Sequence, residues 1–231
     1  MKKTIHRLLL ATVLTAFSLS SAGVVGAVPN ESVTYDGLTA EQITDYTKRF
    51  DELGVKEDKR AGLLEKLSKG EPLDSDQFLF RAQGEIESNV TKHTYVNSEG
   101  KTVESTKEEF PDGSITTYVL THDQVTCGTG YCNYKKTKVS GGNITSSAYY
   151  YVDFTIVNGG MDYVSAKYDY NIQIVAGSYD SEELSTIKAT ESLSGPAKVS
   201  LRWKYSGGGL TTTQYLHFYV GNDTPSSEFV K

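Results

Sequence analysis

Hydrophobic positions change their period about a third of the way along the chain. Between residues 36 and 75 they recur at helical spacing, and Thr39 with Gln42 can form a capping box. Gly54 is placed to end this first helix, and a second helix is expected from near Glu57. We therefore expect a helical hairpin. Its apolar positions are Leu38, Ile43, Tyr46, Phe50 and Leu53 in the first helix and Ala61, Leu64 and Leu67 in the second.

After about Glu85 the period becomes two, which is typical of strands with one buried and one exposed face. Glycine-containing turns such as Asn158–Gly160 separate these strands. The pattern predicts a mainly β protein with seven to nine antiparallel strands in a β-sandwich, with an open β-barrel as the alternative. The clearest inward sets are Ala148, Tyr150, Val152, Phe154 and Ile156; Val164, Ala166, Tyr168, Tyr170, Ile172 and Ile174; and Ala197, Val199, Leu201, Trp203 and Tyr205.

The first 27 residues have the pattern of a secretory signal peptide. Three basic residues precede the apolar run Leu8–Phe17, and small residues occupy Val25–Ala27. No later stretch has the roughly 18 consecutive apolar residues of a transmembrane segment, so we expect a secreted, extracellular protein.

Three segments are expected along the chain. Residues 1–27 form the signal peptide, 28–84 the helical hairpin and linker, which could be a pro-segment, and 85–231 the antiparallel β domain. Removing the three basic residues of the signal peptide changes the net charge from −6 to −9. A protein of this charge is repelled by phosphate backbones, so we expect no nucleic-acid partner.

The two cysteines, Cys127 and Cys132, enclose four residues. In an oxidising compartment such a pair is most simply a disulfide bond. Zinc would need further ligands, and no histidine has ligand spacing to either thiol. We expect no metal site at this turn.

The helical hairpin ends in Gly-Glu-Pro-Leu-Asp-Ser at Gly70–Ser75, a cysteine-bearing turn follows, and the β half is rich in tyrosine. In this layout the chain resembles uncharacterised secreted proteins of Gram-positive bacteria. The resemblance implies a secreted bacterial accessory protein and brings no catalytic residues.

Aromatic residues on the outward positions of two strands are the candidate binding surface. Tyrosine combines an apolar ring with a polar hydroxyl, which suits sugar rings and protein surfaces. The alternative is structural, because cross-strand tyrosine pairs stabilise sheets. The candidates are Tyr149, Tyr151, Tyr215, His217 and Tyr219.

Carboxylates offer two further interpretations. A pair of them could support glycoside hydrolysis, and acidic loops could bind calcium, the one cofactor we consider. No Gly-x-Ser-x-Gly or His-Glu-x-x-His motif is present. The hydrolase candidates are Asp153, Asp169, Glu182 and Glu191, and the calcium candidates are Asp112–Ser114, Asp180–Glu183 and Asn222–Asp223.

The sequence thus favours a secreted, non-catalytic binding protein that acts at a cell-wall, glycan or protein surface. One alternative is an antimicrobial or toxin-like protein that carries the hairpin as its pro-segment. The other is a hydrolase that uses surface carboxylates.

Overall fold

Two short α-helices precede a series of antiparallel strands. The computed structural model describes residues 35–77, 84–207 and 210–231, so the predicted signal peptide lies outside the described residues. Helix α1 spans Ala40–Leu53 and α2 spans Glu57–Ser68, and a 3₁₀ turn follows at Asp74–Asp76. The strands are β1 Asn89–Val96, β2 Thr102–Glu109, β3 Ile115–His122, β4 Gln124–Gly128, β5 Tyr131–Gly142, β6 Ser146–Val157, β7 Tyr163–Ile174, β8 Ser178–Lys188, β9 Ala197–Gly207, β10 Leu210–Gly221 and β11 Thr224–Val230.

The first helix begins and ends as its sequence predicts. The Thr39 hydroxyl accepts a hydrogen bond from the Gln42 N–H, and the Gln42 side chain accepts one from the Thr39 N–H, which completes the capping box. Gly54 ends the helix in the left-handed conformation, at φ 68°, where a side chain would be strained.

The second helix differs from the prediction in the face that it buries. Leu63, Leu64 and Leu67 are buried, whereas Ala61, which we expected on this stripe, is exposed. Leucine side chains remove more apolar area from water than alanine does, so the helix turns its leucines toward the core.

The strands form two antiparallel sheets. The larger runs in the order β1-β2-β3-β5-β6-β7, with β4 paired to β5, and the smaller runs β11-β10-β9-β8. The described strands do not close into a barrel, so the sandwich prediction is confirmed. Eleven strands are described where we expected seven to nine, and the shortest of them are β4, with five residues, and β11, with seven.

Large aromatic side chains fill the space between the two sheets. Phe154 of β6 contacts Phe218 of β10, with ring centroids 5.0 Å apart, and Trp203 contacts Phe229 at 5.6 Å. The hydroxyl of the fully buried Tyr150 donates to the carbonyl oxygen of Leu216 at 3.3 Å, so its polar tip is satisfied inside the core. The inward sets predicted for β6 and β9 are therefore confirmed.

Strand β7 departs from the predicted alternation. A register shift separates the pair Tyr149–Asn171 from the pair Tyr151–Tyr168, and Asp169 takes a positive φ of 48°. This bulge turns Tyr168 to the outer face, beside Tyr151, although the sequence pattern placed it inward.

The helical hairpin packs on one end of the sandwich. Phe50, Leu63 and Leu73 share a second apolar cluster with Ile115, at the start of β3, and Ile144, in the β5–β6 turn. Residues Tyr35–Lys231 form a single compact unit.

Candidate binding faces of the sandwich

The structure distributes the five candidate residues over two separate surfaces. Tyr149 and Tyr151 lie on β6 of the larger sheet, and Tyr215, His217 and Tyr219 lie on β10 of the smaller sheet. Because their neighbours Tyr150 and Phe218 are buried between the sheets, the two sets point out of opposite sides of the sandwich. They cannot contact one ligand face together.

On the larger sheet, three tyrosines form a continuous ladder. The ring of Tyr151 lies 5.9 Å from that of Tyr149 and 5.9 Å from that of Tyr168, to which it is nearly parallel. The ammonium group of Lys138 lies 4.2 Å from the centre of the Tyr149 ring, a cation–π contact.

A carboxylate fixes one end of this tyrosine ladder. Asp153 accepts hydrogen bonds from the Tyr168 hydroxyl at 3.0 Å, the Lys136 N–H at 2.9 Å and the Lys135 ammonium group at 3.1 Å. Partial burial raises the pKa of Asp153, but these hydrogen bonds outweigh it and hold the pKa below its usual value. Burial, together with the bond to Asp153, raises the pKa of Tyr168 to about 12.

Two members of the ladder, Tyr151 and Tyr168, line a groove of about 660 Å³. Thr121, Lys138, Tyr151 and Tyr168 are successive cross-strand partners in β3, β5, β6 and β7, so a single row of side chains crosses the sheet. The groove lining includes this row together with Lys136 and Asn97.

The aromatic residues of the smaller sheet pack mainly on one another. His217 lies between Tyr215, at 5.3 Å between ring centroids, and Tyr219, at 5.8 Å, and only 9% of its surface is exposed. Burial, with a smaller contribution from the positive charge of Lys198, lowers the pKa of His217 to about 4. Its Nδ1 atom is buried and has no hydrogen-bond partner among the described residues.

The cysteines close a hairpin at the end of the larger sheet. Cys127 of β4 and Cys132 of β5 face each other in register, and their sulfur atoms lie 2.05 Å apart, the distance of a disulfide bond. The ring of Tyr131 lies across Gly128, and a side chain at position 128 would meet it at 2.7 Å.

Two of the carboxylates that the sequence offered for hydrolysis, Asp153 and Glu191, and the calcium candidate Asp112 have hydrogen-bond partners of their own. Glu191 accepts hydrogen bonds from the backbone N–H groups of Asn222 and Asp162, and it shares no partner with Asp153. Asp112 accepts bonds from Lys66 and from the N–H groups of Asp74 and Ser114. In the described ranges, no group of three or more His, Cys, Asp or Glu side chains is placed to hold a metal ion.

The fold and these faces define an antiparallel β-sandwich that carries a helical hairpin at one end and tyrosine-rich outer surfaces. No protein-family model, curated protein or solved structure matches the chain. Among the described helices, neither is long and apolar enough to cross a membrane.

Of the row along the groove, the sequence pattern indicates only Tyr151 as a binding candidate; it does not single out Thr121 or Lys138, and it places Tyr168 elsewhere. The alternation in β7 assigned it to the core, and the observation that could have corrected this is Asp169, a residue type that adopts positive φ more readily than most.

Proposed function

We propose that this chain is a secreted, non-catalytic binding protein that attaches to a cell wall, glycan or protein surface through the groove on the larger sheet. The observation that carries the proposal is the cross-strand row of Thr121, Lys138, Tyr151 and Tyr168 along the groove. It places aromatic rings, a hydroxyl and an ammonium group on one open surface.

A glycan is the ligand class that this chemistry favours. Sugar rings have apolar faces that pack on tyrosine rings, and their hydroxyls bond to amide, hydroxyl and charged groups. Asn97 and Lys136 supply such groups beside the rings of Tyr151 and Tyr168.

The larger sheet suits this role better than the smaller one. On the smaller sheet His217 is almost buried between its neighbours, and the Tyr219 hydroxyl donates to Glu228 at 3.2 Å. These aromatic groups already use much of their contact surface within the protein. A groove of about 680 Å³ also lies beside Tyr219, but it includes neither Tyr215 nor His217, whereas the groove on the larger sheet is lined by both Tyr151 and Tyr168.

The predicted signal peptide and the cysteine pair at disulfide distance support secretion. Edman sequencing of protein recovered from the culture medium of a bacterial host tests it directly. A chain that begins near Val28 is the expected product, and a chain found only inside the cells would contradict secretion.

A pull-down experiment tests the binding face. The protein is mixed with purified cell wall, chitin, cellulose and whole cells, and the retained fraction is measured for two double variants. Tyr151→Ala with Tyr168→Ala should weaken retention by about tenfold or more, because both aromatic contacts of the groove are lost. Tyr215→Ala with Tyr219→Ala is the matched control on the opposite face and should bind as the unaltered protein does.

If Tyr215→Ala with Tyr219→Ala weakens retention and the variant on the larger sheet does not, the binding site lies on the smaller sheet. Equal retention of both variants, or no retention of the unaltered protein on any of these materials, would contradict binding through tyrosines. Fluorescence of Trp203, the single tryptophan and fully buried, shows whether each variant is folded.

The contacts of the helical hairpin bear on the alternative in which it is a removable pro-segment. Arg49 donates to the carbonyl oxygen of Asn143 at 2.9 Å, and Lys66 pairs with Asp112 at 2.9 Å. Removing the hairpin would expose Ile115 and Ile144 to water, so we retain it in the proposed binding protein.

A further inference from the structure

Four turns meet at the end of the sandwich where the cysteine hairpin lies. The N–H of Asn158, in the β6–β7 turn, donates to the carbonyl oxygen of Gly130 in the β4–β5 turn at 3.0 Å. The other two members are the segment 189–196, which follows β8, and the β10–β11 turn at 222–223. We call this end the loop tip.

Two carboxylates join three of these turns. Asp162, which is fully buried, accepts hydrogen bonds from the N–H groups of Val157 at 2.8 Å and Asp223 at 3.0 Å. Glu191 accepts bonds from the N–H groups of Asn222 at 2.9 Å and Asp162 at 3.2 Å. The loop tip is therefore a connected structure rather than a set of independent loops.

Three of its turns each present an apolar side chain to water. Leu193 is completely exposed, Met161 is 52% exposed and Tyr131 is 45% exposed. The turn that carries Leu193 is held by Lys188, whose ammonium group donates to the Ser192 hydroxyl and the Gly195 carbonyl oxygen, both at 2.7 Å.

Exposure of these apolar side chains to water is unfavourable. The surface of the loop tip around them carries almost no exposed charge. Of the charged groups here, Asp162 is buried, Glu191 accepts backbone N–H groups and the Lys188 ammonium group is bonded to the turn at 192–195, which leaves Asp223 as the exposed one. The remaining residues are mostly glycine, serine, threonine and asparagine.

We propose that the loop tip inserts Leu193, Met161 and Tyr131 into the interfacial layer of a lipid bilayer. Apolar side chains that project singly from rigid turns need no complementary pockets in a bilayer, whereas a protein partner would have to supply one for each. Small uncharged residues between them can approach the headgroups without electrostatic cost, and tyrosine is favoured at the membrane–water interface. This surface is distinct from the groove and does not depend on the proposed function.

Co-sedimentation with vesicles tests the proposal. The chain from Val28 onward is used, because it keeps the whole compact unit Tyr35–Lys231 and lacks the apolar run Leu8–Phe17, which could itself bind lipid. We expect it to sediment with vesicles of pure phosphatidylcholine. Leu193→Ser and Met161→Ser should each lower the partition coefficient by about tenfold.

The matched control is Val90→Ser. Val90 is 47% exposed and lies at the start of β1, near the end of the sandwich that carries the hairpin, so its replacement should leave binding unchanged. Raising the salt to about 0.5 M should also leave binding unchanged, because the loop tip exposes so little charge.

A fluorescence experiment locates the contact. Leu193→Trp should show a blue shift of its emission, and quenching by bromine-labelled acyl chains, when vesicles are added, whereas Val90→Trp should show neither. Absence of vesicle binding, or equal binding of the serine variants and the unaltered protein, would overturn the proposal. A dimer in solution that is lost in Leu193→Ser, without vesicle binding, would overturn it in favour of self-association.

Discussion

His217 should make the stability of the protein depend on pH. It lies on the outer face of β10 between Tyr215 and Tyr219, with Lys198 of β9 and Glu228 of β11 as the charged groups beside it. Burial lowers its pKa from 6.5 to about 4, so the folded protein resists protonation of this ring. Replacing His217 with phenylalanine keeps an aromatic ring in the row and removes the titrating nitrogens.

The sign and size follow from linkage between protonation and folding. Above pH 6.5 the ring is neutral in both states, and below about pH 4 it is charged in both. Between these values only the unfolded chain takes up the proton, so the free energy of unfolding falls as the pH falls. The expected loss relative to neutral pH is about 1.2 kcal/mol at about pH 5.5 and about 2.4 kcal/mol at about pH 4.5.

Urea unfolding followed by the fluorescence of Trp203 measures this loss at each pH. The difference between the unaltered protein and His217→Phe isolates the contribution of His217, because carboxylates such as Asp112 titrate alike in both. His93→Phe, at an exposed histidine on β1, is the control and should keep the full pH dependence. A His217→Phe variant that loses as much stability on acidification as the unaltered protein would refute the reasoning.

Three other changes test the framework of the fold. Replacing Cys127 and Cys132 with serine should lower the free energy of unfolding in urea by about 2 kcal/mol relative to the oxidised protein, since closure of a six-residue ring is lost, and the unaltered protein should show the same loss after reduction. Asp162→Ala leaves two N–H groups without their acceptor and should cost about 2–4 kcal/mol by thermal and urea unfolding; an unchanged midpoint would contradict the role given to this carboxylate. Phe50→Ala, at a fully buried position of α1, should cost about 3–5 kcal/mol, and Trp203 fluorescence and helical circular dichroism should shift together. Separate transitions would show that the hairpin and sandwich unfold independently.

Much of the fold was predictable because its signals are local. The capping box of Thr39 and Gln42 and the left-handed Gly54 depend on neighbouring residues alone, and the sequence contains them. The alternation of β9 from Ala197 to Tyr205 is unbroken, so its buried face follows directly from the pattern.

What the sequence did not reveal depends on pairing between distant strands. The bulge at Asp169 shifts one strand against another, and this shift decides that Tyr168 stacks on Tyr151 instead of entering the core. Likewise, two outward tyrosine sets look equivalent along the chain, and only the order of strands in the two sheets separates β6 from β10. The exposure of Ala61 also depends on what α2 packs against.

The acidic residues show why composition alone is a weak guide to chemistry in this chain. An acid that protonates a leaving group or binds calcium needs an oxygen free to face its substrate or ion. Both carboxylate oxygens of Asp162, and both of Glu191, accept backbone N–H groups instead, and those of Asp153 accept a backbone N–H, an ammonium group and the Tyr168 hydroxyl. Carboxylates bonded in this way fix turns and side chains in place. At Asp153 this fixes the ring that lines the groove, so the acidic residue contributes to the proposed binding face by positioning a tyrosine.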